Sequence, residues 1–198
     1  MVKEFFARRY YFKGMLELNL ETEEMRIIAF DDSHFTDRYI SWLNDPEVVR
    51  YSEQRHITHT PESCRDYIES LSGSGDQLLA IESKQEFGHI GNMSISYDIP
   101  NGMADLSILI GEKKAWGRGF GLKAWRLVMD SLLDNKLMRK ITAGTMANNK
   151  SMIKLMERSG MQIEAVRPRH FLHEGNEVDF VLSSKYTSDV ASINSYFE

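Results

Sequence analysis

A glycine-rich turn set between a strand and a helix constrains this chain most. Trp116-Gly117-Arg118-Gly119-Phe120-Gly121 follows an alternating run with Leu106, Ile108 and Ile110 on one face. It leads into Leu122, Trp125, Val128/Met129 and Leu132/Leu133, which lie on one face at helical spacing. Glycines at alternate positions let the backbone bend and approach a ligand with no side chain between. The N–H groups that open the helix then face that ligand, and the helix dipole favours negative charge there. Lys113, Lys114, Arg118, Lys123 and Arg126 surround the turn against Glu112 alone, a local reversal of sign in a chain of net charge −5. A phosphate or pyrophosphate is the simplest ligand for such a turn.

The elements around the turn set the fold class. Met25 to Phe30 reads as a strand, and Asp31-Asp32-Ser33 supplies capping chemistry for a helix to about Asn44. Pro46 suits the first turn of another short helix, and Thr60-Pro61-Glu62 starts a third, to about Leu71. Ser72 to Asp76 is a run of turn formers. Strands follow at Leu78–Glu82, Ile90–Tyr97 and Leu106–Ile110, with Asn101-Gly102 as a hairpin signal. After the glycine turn and its helix come a strand at Lys140–Met146 and a helix from Asn149 to about Arg158, with Gly160 placed as its C′ residue. Two last strands, Met161–Val166 and Val178–Leu182, are joined by a charged, histidine-containing loop. Hairpins feeding a strand–helix–strand unit predict an α+β fold: a mixed, mainly antiparallel central sheet flanked by helices. The expected organisation is an N-terminal extension over 1–24, one domain over 25–186 and a tail over 187–198.

Composition narrows the function. The acidic balance argues against a nucleic-acid binder held by bulk charge. A single cysteine, Cys64, excludes an internal disulfide and fits a reducing compartment. No apolar run reaches the length of a membrane helix, and the first residues lack a secretory core, so the expected setting is cytoplasmic and away from membranes. No metal-binding pattern is read. The aromatics at Phe5, Phe6, Tyr10, Tyr11 and Phe12 require burial in an extra strand, a packed helix or a homodimer contact.

Three phosphate loops compete for the turn. A P-loop fails, because Gly121 is followed by Leu122-Lys123-Ala124 rather than Lys-Ser/Thr. A dinucleotide fingerprint finds a register at Gly119-x-Gly121-x-x-Ala124, but the next strand, Ile141 to Met146, lacks the acid that would bind a ribose. The third is a resemblance. Trp116–Gly121, between a hairpin strand and a helix, resembles the Arg/Gln-x-x-Gly-x-Gly/Ala pyrophosphate loop of the GNAT N-acyltransferase superfamily, with Trp116 in the first position. That variant resembles the branch of ribosomal-protein N-terminal and amino-sugar acetyltransferases. Trp42-Leu43-Asn44-Asp45-Pro46-Glu47-Val48, Gly88-His89-Ile90-Gly91 and the block Asn149 to Met161 resemble further segments of it.

The resemblance implies transfer of acetyl from acetyl-CoA to a primary amine on a small molecule, an amino sugar among them, or on a peptide N-terminus. The donor would lie between splayed strands at Leu106–Gly111 and Lys140–Met146. The backbone of Gly117, Arg118, Gly119, Phe120, Gly121 and Leu122 would hold its pyrophosphate, with Lys123 and Arg126 near the 3′-phosphate. The backbone near Ile110 and Gly111 would bond the thioester carbonyl. Asn149 reads either as a cofactor contact or as a helix N-cap, and Lys154 as a reach toward the adenine or phosphate end. Asp105 and Glu112 are the candidate bases for the attacking amine. His89, His170 and His173 read as a structural histidine and two loop histidines near the acceptor. Arg50, Arg167, Arg169 and His170 would suit an anionic acceptor such as a sugar nucleotide. The family's usual Tyr acid position is Met156 here, which leaves a non-catalytic acyl-CoA-binding module as an alternative, with a dinucleotide-binding oxidoreductase as a third.

Overall fold

The structure is a computed structural model and describes residues 18–135 and 137–187. Its strands are β1 (Leu20–Glu21), β2 (Met25–Ala29), β3 (Gln77–Ser83), β4 (Gly88–Asp98), β5 (Met103–Ile110), β6 (Lys140–Met146), β7 (Gln162–His173) and β8 (Asn176–Tyr186). Its helices are α1 (Asp37–Leu43), α2 (Pro61–Ser74), α3 (Phe120–Asp134) and α4 (Lys150–Arg158). The strands form one sheet in the order β1-β2-β3-β4-β5-β6-β8-β7, antiparallel except for the parallel pair β5/β6. This is the expected α+β architecture, with β1 as an extra edge strand. The N-terminal aromatics lie outside the described residues.

Strand alternation gives the sheet two different faces. Leu79, Ile81, Met93, Ile95, Leu106, Ile141 and Ala143 point to one, where α3 and α4 cover them. α3 buries Ala124, Trp125, Val128, Met129, Leu132 and Leu133, three or four residues apart, and so presents one apolar stripe. The opposite face carries a smaller core of Tyr39, Trp42 and Cys64 with Phe30, Phe35, Leu43 and Leu109 around it. Cys64 is buried there, and burial raises its thiol pKa, which suits a packing residue.

Several local expectations are corrected. Thr36, not Asp31–Ser33, caps α1 by accepting from the Tyr39 N–H at 3.2 Å. Asp31 instead closes a turn, its carboxylate accepting from Ser33. Pro46 opens no helix; Asp45 accepts from the Glu47 N–H within a run of turns. α2 continues through the expected loop to Ser74, and Gly75 ends it at φ 85°. The segment 167–177 is mostly strand: β7 runs on to His173, and Glu174-Gly175 make the reversal.

Candidate active site

The parallel pair β5/β6 is joined by three rungs only, Met103–Asp105 against Lys140–Thr142. Beyond them the strands part, with β5 staying on β4 and β6 on β8. A cleft of about 420 Å³ occupies the parting. Leu106 to Leu109 line it on the β5 side, Gly144 and Thr145 on the β6 side, and residues of α1, α2 and the loop between them on the remaining side. Phe180 packs so tightly on Gly144 that a Cβ there would collide with its ring.

The end of β5 is a bulge, because the N–H groups of Gly111 and Glu112 both donate to the Ile90 carbonyl at 3.0 Å. With Gly91 opposite Ile110, alternation turns the N–H groups of Ile108 and Ile110 toward the β6 side, where no strand pairs. Gly111 lies directly against Trp42. Trp116 donates its Nε1–H to the Ile110 carbonyl at 2.7 Å, tying the glycine turn to the strand end.

In the turn, Gly117 and Gly119 adopt φ 72° and 85°, the left-handed region that favours glycine. A Cβ on either would meet nothing within 4 Å. Gly119 is the N-cap of α3 and offers no side-chain bond, and the first helical bond is Lys123 N–H to the Gly119 carbonyl. The N–H groups of Phe120, Gly121 and Leu122 therefore have no helical partner and open on the turn.

The basic cluster is less free than its sequence suggests. Lys113 pairs with Asp45 at 2.7 Å and Glu47 at 2.6 Å, and Arg118 with Glu86 at 2.9 Å. Lys123 pairs with Glu24, and Arg126 donates to the Arg158 carbonyl. The acids come from distant segments, which local counting misses. Lys154 is exposed on α4.

Asn149 caps α4, its Oδ1 accepting from the Met152 N–H at 3.2 Å, while its Nδ2 donates to Thr145 Oγ1 at 3.0 Å. It also lines the cleft. Asp105 stands on the last shared rung of β5/β6 and accepts from Thr142 Oγ1 at 2.6 Å. Surrounding protein raises its pKa despite its open edge, and the Thr142 bond opposes the rise. Glu112 caps the turn over 113–115, accepting from the Lys114 N–H at 3.1 Å. Neither acid lines the cleft. Met156 is buried in the main core, and Met152 is the α4 side chain at the cleft.

Of the histidines, His89 is buried among Phe30, His34, Tyr39 and Trp42 and donates Nε2–H to the Gly91 carbonyl at 3.1 Å. Burial pushes its pKa down to about 4, with His34 adding to the fall. His173 is buried, bonded to Asn148 and to the Arg50 carbonyl, and stacked on Tyr51. His170 sits in a bulge of β7, stacked on Phe180. Sequence reasoning passed over His59 and Asn92, both of which line the cleft.

A mixed sheet parted along its parallel seam, with a phosphate-ready turn at the mouth, defines the acyl-CoA N-acyltransferase fold. A family model described as an acetyltransferase (GNAT) domain matches residues 25–162, and the chain belongs to that family of acetyl-CoA-dependent N-acetyltransferases. The fold is similar to that of a GNAT-family acetyltransferase from Bacillus anthracis (TM-score 0.72, 16% identity, 87% of this chain and 100% of that one). It is similar to ribosomal-protein-S5-alanine acetyltransferase from Vibrio fischeri (0.73, 19%, 87% and 98%). It is also similar to spermidine N-acetyltransferase from Vibrio cholerae in complex with CoA and spermine (0.75, 15%, 84% and 98%). No described helix is long and apolar enough to cross a membrane, and no metal-holding cluster occurs among the described residues.

Proposed function

We propose that this acetyltransferase acts on a primary amine carried by a small molecule or a peptide N-terminus, with the residues of the β5/β6 seam dividing the work. The carrying observation is the union of unpaired helix-start N–H groups with an open seam beside Ile110. Gly117 to Leu122 hold the pyrophosphate through backbone N–H groups. Lys154, exposed on α4, reaches the outer phosphate or adenine end, and Asn149 reaches the donor from the rim of the cleft. The Ile110 N–H polarises the thioester carbonyl, while Gly111, whose own N–H is taken by Ile90, supplies the close fit to Trp42. The small-amine and protein acetyltransferases with the same fold support an amine acceptor.

Asp105 takes the amine proton through water from the crotch of the seam, its raised pKa bringing it nearer the working range of a base. Glu112 keeps its capping role. The amine lone pair forms the N–C bond, the C–S bond breaks toward sulfur, and water protonates the thiolate because Met156 offers no proton. Thermal unfolding with added acetyl-CoA tests the donor site: saturation a hundredfold above Kd adds about 2.7 kcal/mol. No shift at millimolar acetyl-CoA sinks the proposal, and thiol release over an amine panel identifies the acceptor.

A further inference from the structure

Among the described residues, the cleft is lined by no Asp, Glu, Lys or Arg. Tyr39, Tyr51, Tyr67, Leu43, Ile57 and Met152 give it an aromatic and aliphatic wall. Arginines on the loop and hairpin beside it have partners within the chain: Arg50 pairs with Glu174 at 3.1 Å, Arg55 with Glu53 at 2.7 Å and Arg169 with Glu177, while Arg167 lies over the Phe180 ring. A polyamine or a phosphorylated acceptor would lose water there with no opposite charge to receive it, which is costly.

Among the described residues, two buried polar atoms of this lining lack a partner, Asn92 Oδ1 and His59 Nε2. Asn92 is 6% exposed. Its amide orientation is set by the protein, because Nδ2 must face the Leu79 carbonyl at 3.3 Å, and that leaves the oxygen as the unpaired atom. Asn92 shares a rung with Leu109, one residue from Ile110. Asn92 therefore stands on the strand next to the one whose N–H is assigned to the thioester. Buried acceptors are normally satisfied by protein or water, so an unpaired one on a cleft floor is free to receive a ligand's donor.

We infer that the acceptor is a primary amine on an uncharged, partly apolar body, its nitrogen donating to Asn92 Oδ1 and a second polar group of the same molecule reaching His59 Nε2. The inference rests on the acetyltransferase reading and sharpens it. It also replaces the anionic acceptor suggested by Arg50, Arg167 and Arg169.

The test is thiol release from acetyl-CoA by the full chain with four acceptors: phenethylamine, the dipeptide amide Ala-Phe-NH₂, spermidine and glucosamine 6-phosphate. One of the first two should exceed both spermidine and the phosphosugar by about tenfold or more in kcat/KM, the scale of one hydrogen bond and a methylene or two. Which of the two wins identifies a small amine or a peptide end as the source. Asn92→Leu should raise KM for the amine about tenfold while the acetyl-CoA-induced thermal shift and the fold's stability persist. Asn92→Ser serves the same comparison should leucine not fit. Spermidine or the phosphosugar proving best, no turnover of any of the four with acetyl-CoA bound, or an unchanged amine KM in the variant overturns the inference. Failure of acetyl-CoA to stabilise the wild-type chain overturns the underlying reading instead.

Discussion

Replacing Gly111 by Ala isolates the contact that locks the end of β5 to the first helix. Its φ is unexceptional, so the backbone itself accepts alanine. The obstacle is Trp42: an added Cβ would stand under 3.0 Å from three indole atoms. Restoring ordinary contact at about 3.5 Å requires a displacement of more than about 1 Å. The indole has little room, since it is 6% exposed, meets His89 edge-on at 5.0 Å and lies under the Arg38 guanidinium at 5.4 Å. The strand has little more, because Gly111 and Glu112 share the Ile90 carbonyl. Overpacking of this kind costs about 1–3 kcal/mol, and a rigid ring enclosed on both faces points to the upper half of that range. For a chain of this length the Tm should fall by about 5–10 °C. Displacing the adjoining Ile110 N–H should lower kcat about tenfold, less than the complete loss of an oxyanion donor. Urea unfolding and steady-state thiol release measure both. Gly121→Ala is the control for stability alone, because its Cβ would make ordinary contacts of 3.6 Å with Ile110 and 3.7 Å with Leu155 inside a helix. If Gly111→Ala melts and turns over like wild type, the packing argument and the role of the β5 end both fall.

Gly119→Ala poses the opposite problem: open space but a φ of 85°. It should cost about 1–2 kcal/mol and weaken acetyl-CoA binding, read as a smaller ligand-induced thermal shift; an unaltered shift excludes the turn as the phosphate site. His89 gives a pH dependence. Its folded pKa is about 4 against 6.5 unfolded, so between these values the unfolded chain holds the extra proton. Stability should therefore rise from pH 4 to 6.5, by at most about 3 kcal/mol, and be complete above. His89→Gln should flatten that slope in urea titrations, and an equally steep profile in the variant disproves the assignment.

Much of the fold was legible because its signals are local. The α3 stripe, the β4 alternation and the Asn149–Gly160 cap pair each follow from neighbouring residues. β7 escaped because neither of its faces is covered along most of its length, so no apolar alternation marks residues 167–173. Thr36 was hidden behind Asp31–Ser33, which offer the same chemistry five and three residues earlier but close a turn. At the site, the turn was readable and its charge was not, since Glu24, Asp45, Glu47 and Glu86 arrive from remote segments. Asn92 and His59 carry no sequence signature, because an unpaired buried atom exists only after the tertiary structure forms.

The three-rung junction of β5 and β6 makes the sheet two leaves stitched at one end. One leaf holds β1 to β5 and the other β6, β8 and β7. Above the stitch no ladder joins β5 to β6, so their backbone groups along the gap are left to other partners. A linear amide-bearing arm laid in it can bond to both margins and act as a surrogate strand. The width of the acceptor cleft then depends on whether that strand is in place. An ordered sequence, donor first and amine second, is the kinetic behaviour expected of a sheet that its own substrate completes.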